Sequence, residues 1–286
     1  MLRLTVLLAC LWCATLGASP SARIVSTSPS ITEALFALGL GDRVVGVSTF
    51  CRFPAAAVSL PKIGTFLRPD AELIARLRPD LVVIHAGPSG IEQRLSALRI
   101  PFATVERGRL PGVYSSIRMI ATAAGVPDRA GTLIAQLESR LQRVRGVVAG
   151  RTPQRVLVII GRRAGTLTDL IAVGRESYLT DLVTIAGGVN VLSDGGLPEY
   201  PRISMETVIR LAPDVIIDAG DMGDALEQRR ARKVTTEALW KGQPLAASRA
   251  GRVHAVTSDA FVVPGPRVVE AAETMALWLH GVAVAP

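Results

Sequence analysis

Three kinds of side chain recur in this chain at one fixed interval. Glu72 and Glu206 lie 134 positions apart, and so do Arg68 and Arg202. At the same interval Phe66 falls on Tyr200. An aromatic, then an arginine, then a glutamate therefore occur twice in the same order, with Phe50 upstream of the first copy. Flat aromatic faces suit a large, partly apolar ligand, because each ring buries considerable area. Arginines beside them could pair with anionic groups on that ligand. A glutamate in each copy could meet cations on a partner. Each feature also has a plainer explanation. Aromatics can pack their own loops, an exposed arginine needs no role, and a first-turn glutamate stabilises its helix by about 0.3–1 kcal/mol. The residues alone leave these alternatives open.

Covalent chemistry has no comparable set. The chain lacks a GxxxxGK[ST] phosphate cradle, an HExxH pair and a GxSxG elbow. The GLGDRV stretch from Gly39 carries two glycines of a dinucleotide fingerprint, but it follows a helix rather than a strand. The three histidines, His85, His254 and His280, are isolated in sequence. His85 and His254 fall near strand C-termini, where folding could bring them together, although a structural role is the simpler expectation. No catalytic residue, resident cofactor or metal site is expected.

The elements that must position these residues are legible from period and punctuation. Short apolar runs such as RIVS, RVVGVS and DLVVIH alternate with amphipathic segments, the pattern of a parallel sheet flanked by helices. Asp70 and Ser204 are good N-caps, placing Glu72 and Glu206 in the first turn of equivalent helices. Pro79-Asp80 and Pro213-Asp214 end those helices and start strands, a structural role. Residues 127–150 break the rhythm. Leu133, Ile134, Leu137, Leu141 and Val144 recur near helical period, with proline at the start and glycine at the end. This predicts one long linker helix between an N-terminal α/β lobe (23–126) and a C-terminal α/β lobe (151–286). The repeat extends further, since ITEALFALG from Ile31 parallels LTDLVTIAG from Leu179.

Bulk properties narrow the class. A chain of 286 residues has room for two lobes. Residues 1–22 read as a secretory signal peptide: an early Arg3, an apolar run, then small residues. The LLAC box at Cys10 has too few residues before it for a lipid-attachment site. Cys10 and Cys13 leave with the signal, so the mature chain keeps only Cys51 and no internal disulfide. Cys51 reads as a small packed residue. The net charge of +8 is spread over scattered arginines without a basic block, which argues against nucleic-acid binding.

Assembled in order, VGVSTFCRFP, KIGTFLRPDAELIARLRPDLVV, AGGVNVL, YPRISMETVIRLAPDVII and PGPRVVEA make the chain resemble the periplasmic substrate-binding proteins of ABC importers for cobalamin, haem and iron-siderophores. The resemblance covers the whole mature chain and is strongest to the cobalamin branch. It implies two Rossmann-like α/β lobes with parallel sheets, joined by one long rigid helix, with the ligand cleft between the lobes. It implies a monomer in the periplasm that captures a metal chelate, most readily cobalamin, with haem or a ferric siderophore as the alternative. Phe50, Phe66 and Tyr200 match positions of ring-contacting aromatics, with Arg68 and Arg202 beside them. Glu72 and Glu206 match the glutamates that meet arginines of the permease, whose transmembrane subunits work with an ATPase. In haem-binding relatives an axial Tyr or His holds the iron; no residue here stands out at a matching position, which leaves His85 and Tyr200 as open alternatives. A secreted two-lobed enzyme is the reading from another class.

Overall fold

A computed structural model of the chain describes residues 22–87, 89–193, 196–220 and 226–285. The expected signal peptide lies outside the described residues except for its last position. Among the described residues, no helix is long and apolar enough to cross a membrane.

The first half builds β1 (Ile24–Ser26), α1 (Pro29–Ala37), β2 (Val44–Val47), α2 (Ala71–Arg76), β3 (Leu81–His85), α3 (Ile91–Ala97), β4 (Phe102–Val105) and α4 (Leu110–Ala123). Its four strands pair in the order β2-β1-β3-β4, all parallel. Helix α5 (Pro127–Val148) then leads into the second half. There the chain forms β5 (Gln154–Gly161), β6 (Leu170–Ala172), α6 (Tyr178–Ile185), β7 (Gly188–Asn190), β8 (Arg202–Ile203), α7 (Met205–Leu211) and β9 (Val215–Asp218). It closes with α8 (Leu226–Lys241), α9 (Ala246–Arg249), β10 (Val253–Ala255) and α10 (Val268–His280).

The second sheet runs β10-β9-β5-β6-β8, with β7 also on β5. Its β10, β9, β5 and β7 pair in parallel as expected, whereas β6 and β8 form an antiparallel edge. The expectation of wholly parallel sheets is corrected there. Strands of two or three residues leave too short a run for an alternating pattern to register.

The Pro-Asp repeat has a physical explanation. Asp80 Oδ2 accepts from the Arg23 backbone N–H at 2.9 Å, and Asp214 Oδ2 accepts from Arg155 N–H at 2.9 Å. Arg23 Nη2 in turn donates to the Leu77 carbonyl at 2.7 Å, and Arg155 Nη2 donates to Leu211 at 2.7 Å. Each aspartate thus clips the end of its helix to the first strand of its sheet. Arg78 and Ala212 both adopt left-handed backbone between helix and clip (φ 45° and 43°). That conformation disfavours side chains other than glycine, so the clips hold a turn that local preference opposes.

Helix α5 has one buried stripe: Ala130, Ile134, Leu137, Leu141, Val144 and Val148. The spacing of four and three residues keeps these on a single face. Across it lie α4 from the first half and α10 from the second. One continuous core runs through both halves, from Ile24 through Leu137 to Leu279. An unbroken 22-residue helix about 33 Å long, with helices of both halves packed along its one buried face, resists hinging.

Candidate functional site

A cavity of about 500 Å³ opens between the two sheets, within the range of small-molecule sites. It lies at strand C-terminal ends, where open α/β sheets collect ligands: His85 ends β3, Arg107 follows β4, and Ile160 is the penultimate residue of β5. Phe50 and Phe66 line it from the first half and Tyr200 from the second. The two phenylalanine rings meet edge to face with centroids 6.3 Å apart. All three remain more than a third exposed, at 38%, 37% and 36%. That surface lines the gap.

The walls carry opposite charge. Arg52 and Arg107 stand on the first-half wall, Glu199 and Asp259 on the second. His85 Nε2 is 3.0 Å from the Ser30 hydroxyl at the base. Burial, with help from Arg107, lowers its pKa to about 4, so the imidazole is neutral at neutral pH. Burial also pushes the Tyr200 phenol up, and Glu199 beside it adds to the rise. Tyr200 Oη lies 3.4 Å from the Ser177 hydroxyl.

Of the seven positions assigned to ligand or permease from sequence, the cavity gathers the three aromatics, together with His85, considered there as an iron ligand. Arg68 and Arg202 are exposed and are not among its lining residues. Arg68 closes a turn in which its N–H donates to Thr65 Oγ1 (3.1 Å). Arg202 sits on β8, where side chains alternate: Ile203 packs on the core, so Arg202 faces out. The cations at the cleft are Arg52 and Arg107 instead. Arg52 lay inside the FCRFP stretch that drew attention to its neighbours, and Arg107 and Asp259 follow strand ends. Those placements are the signal that could have found them.

Glu72 and Glu206 are exposed in the first turns of α2 and α7, away from the cavity. Asp70 Oδ1 caps α2 by accepting from Glu72 N–H (2.9 Å) and Leu73 N–H (3.0 Å). Ser204 Oγ caps α7 through Thr207 N–H (3.3 Å). Hydrogen bonding to Ser204 lowers the Glu206 pKa.

His85 and His254 do not meet. His254 stacks on the indole of Trp278, centroids 4.9 Å apart, within the second half. Cys51 is buried, with Thr32 Oγ1 at 3.1 Å from its sulfur, and burial raises its pKa, as an inert thiol requires. Among the described residues no group of three or more His, Cys, Asp or Glu could hold a metal ion.

A second hollow of about 840 Å³ lies along α4, α5 and α6. Its mouth holds the ion pair of Arg109 with Asp181, which joins the two halves. Asp181 also accepts from Leu110 N–H at 2.7 Å, capping α4 from across the gap. This groove has a single aromatic ring, Tyr114, with none facing it, so the cleft is the better site for a flat ligand.

Residues 24–260 match the family described as periplasmic binding protein. The vitamin B12-binding protein of Yersinia pestis (strain Pestoides F) is 27% identical over 263 residues, 91% of this chain and 87% of its own. The periplasmic heme-binding protein RhuT from Roseiflexus sp. RS-1, in apo form, superposes with a TM-score of 0.78 at 30% identity, covering 91% of this chain and 98% of that one. The periplasmic vitamin B12 binding protein BtuF of Vibrio cholerae gives a TM-score of 0.72 at 25% identity, covering 91% and 97%. The matched span runs through both sheets, the linker helix and all of the cleft except its last few lining residues. This chain belongs to the periplasmic binding protein family.

Proposed function

We propose that this protein captures cobalamin in the cleft between its lobes (23–126 and 151–286) and delivers it to an ABC permease. The observation that carries the reading is the cleft itself: aromatic rings on facing rims and walls of opposite charge. A corrin ring offers flat apolar faces to Phe50, Phe66 and Tyr200. Its fringe of amides both donates and accepts, so it can hydrogen-bond to cations on one wall, Arg52 and Arg107, and to carboxylates on the other, Glu199 and Asp259. Capture this way needs no covalent step and no resident cofactor. Export through a cleaved signal peptide would place the protein in the periplasm, as a monomer.

The alternative cargo is haem or a ferric siderophore. Neutral His85 on the cleft wall favours haem, since an unprotonated imidazole can bind iron. Tyr200 argues against it. An iron-bound phenolate must lose its proton, and burial beside Glu199 opposes that.

Calorimetric titration of the mature protein with cyanocobalamin, haemin and a ferric hydroxamate separates these cargoes. One-to-one cyanocobalamin binding is expected. Phe66→Ala with Tyr200→Ala should weaken it by at least about tenfold, the effect of losing roughly 1.4 kcal/mol of ring contact. Unchanged affinity would return both rings to a structural role, and binding of haemin alone would move the cargo.

A further inference from the structure

Behind the cleft wall, Asp259 joins a charged cluster whose other members, Glu33 and Arg267, have no role above. Arg267, at the start of α10, points its Nη2 between two carboxylates. It donates to Glu33 Oε1 of α1 at 2.5 Å and lies 2.9 Å from Asp259 Oδ1. Glu33 belongs to the first lobe, and Arg267 and Asp259 to the second. The ring of Phe53, from the loop after β2, covers the guanidinium with 4.0 Å from its centroid to Cζ. Asp259 is also part of the cleft wall.

The cluster is largely buried and incompletely paired within the protein. The Glu33 side chain is 2% exposed and that of Arg267 11%. Glu33 Oε2 and Arg267 Nε are buried without a hydrogen-bond partner. Gly265 lets the second-lobe backbone close on Glu33: a Cβ there would stand 3.1 Å from Oε2. A surface salt bridge shows none of these features, and a buried one is costly unless every polar atom is matched.

We infer that Arg267 is a positioning residue of the ligand cleft: it latches Glu33 of one lobe to Asp259 on the wall of the other, and it couples ligand affinity to a proton on Glu33. The sign follows from the charges. The groups facing Glu33 are Arg267, Asp259 and Glu270, with neutral His85 beyond Ser30. With Glu33 ionised, two carboxylates share one guanidinium and surplus negative charge sits in a largely buried site. A ligand over Asp259 removes more water and makes that surplus costlier. Binding therefore favours protonated Glu33. Burial raises the Glu33 pKa to about 7 despite Arg267, which puts the change near neutrality. A tenfold preference for the protonated cluster would make cyanocobalamin bind about fivefold tighter at about pH 6 than at about pH 8.

The affinity arm rests on the cobalamin reading; the geometric arm does not. Spin labels at positions 76 and 210, both exposed, would report the distance between lobes by pulsed electron resonance in a Cys51→Ser background. Arg267→Gln is expected to broaden that distance distribution and to weaken cyanocobalamin by about tenfold, since the wall loses its preorganisation. Glu33→Gln, nearly isosteric, should keep the narrow distribution and abolish the pH dependence. Wild-type distances in Arg267→Gln would overturn the latch. A pH-flat wild type, or a Glu33→Gln variant with the wild-type pH ratio, would overturn the proton coupling. If cyanocobalamin fails to bind at any pH, the cargo reading falls, and the distances still judge the latch.

Discussion

Reversing two charges, Glu72→Arg with Glu206→Arg, is expected to abolish cobalamin uptake while leaving cyanocobalamin affinity within about twofold, an effect at the docking step alone. Both carboxylates are exposed and neither lines the cleft. Their helices stay capped by Asp70 and Ser204, which are untouched. Each reversal replaces a favourable carboxylate at a helix N-terminus with a cation, a solvent-screened change at an exposed position that leaves the fold intact. If the permease presents arginines to these positions, as the resemblance implies, attraction becomes like-charge repulsion on both lobes at once, worth several kcal/mol. Uptake of labelled cobalamin into cells or proteoliposomes, beside a binding titration, makes the measurement. Normal uptake by the double variant would remove the docking assignment. Single reversals should fall between, because one lobe still docks.

Asp218→Ala should destabilise the second lobe by about 3–5 kcal/mol, since it leaves a buried guanidinium without its charge partner. Asp218 ends β9 with its side chain fully buried, and the Arg162 side chain beside it is 5% exposed. Arg162 Nε donates to Asp218 Oδ2 at 2.9 Å, and Trp240 Nε1 donates to the same oxygen at 2.7 Å. The Gly220 N–H reaches Oδ1 at 2.6 Å. The aspartate therefore ties β5, β9 and α8 into one network. The neighbouring pair, Arg163 with Asp169, has nearly the same separation (2.7 Å) but is 68% and 47% exposed. Asp169→Ala should cost under about 1 kcal/mol, because water already solvates both partners. Thermal unfolding of the two variants side by side makes the comparison. A drop of roughly 10 °C is expected for Asp218→Ala, with little change for Asp169→Ala. Equal melting temperatures would mean that burial does not set the strength of these pairs.

The sequence by itself determined the repeated architecture, because repeats, caps and stops act locally. Asp70, Ser204 and the Pro-Asp pairs perform at their own positions the roles their chemistry allows. The long helix over 127–150 was legible because its buried residues keep helical period, and they form the stripe on α5 that both lobes pack against. Phe66 and Tyr200 were legible as a pair because equal offsets put them on equivalent loops. Tertiary structure alone decided the rest. The antiparallel edge of β6 and β8 depends on which strand ends lie next to each other, which two- and three-residue runs do not encode. Arg52 rather than Arg68 reaches the cleft because of how a loop turns between Phe50 and Asp70. Glu33 reads in sequence as an ordinary helical glutamate. Only the fold brings it to Arg267, 234 positions away, and closes the Gly265 backbone over it. Burial and charge pairing are properties of neighbours in space, so a carboxylate's environment is fixed only once the lobes have met.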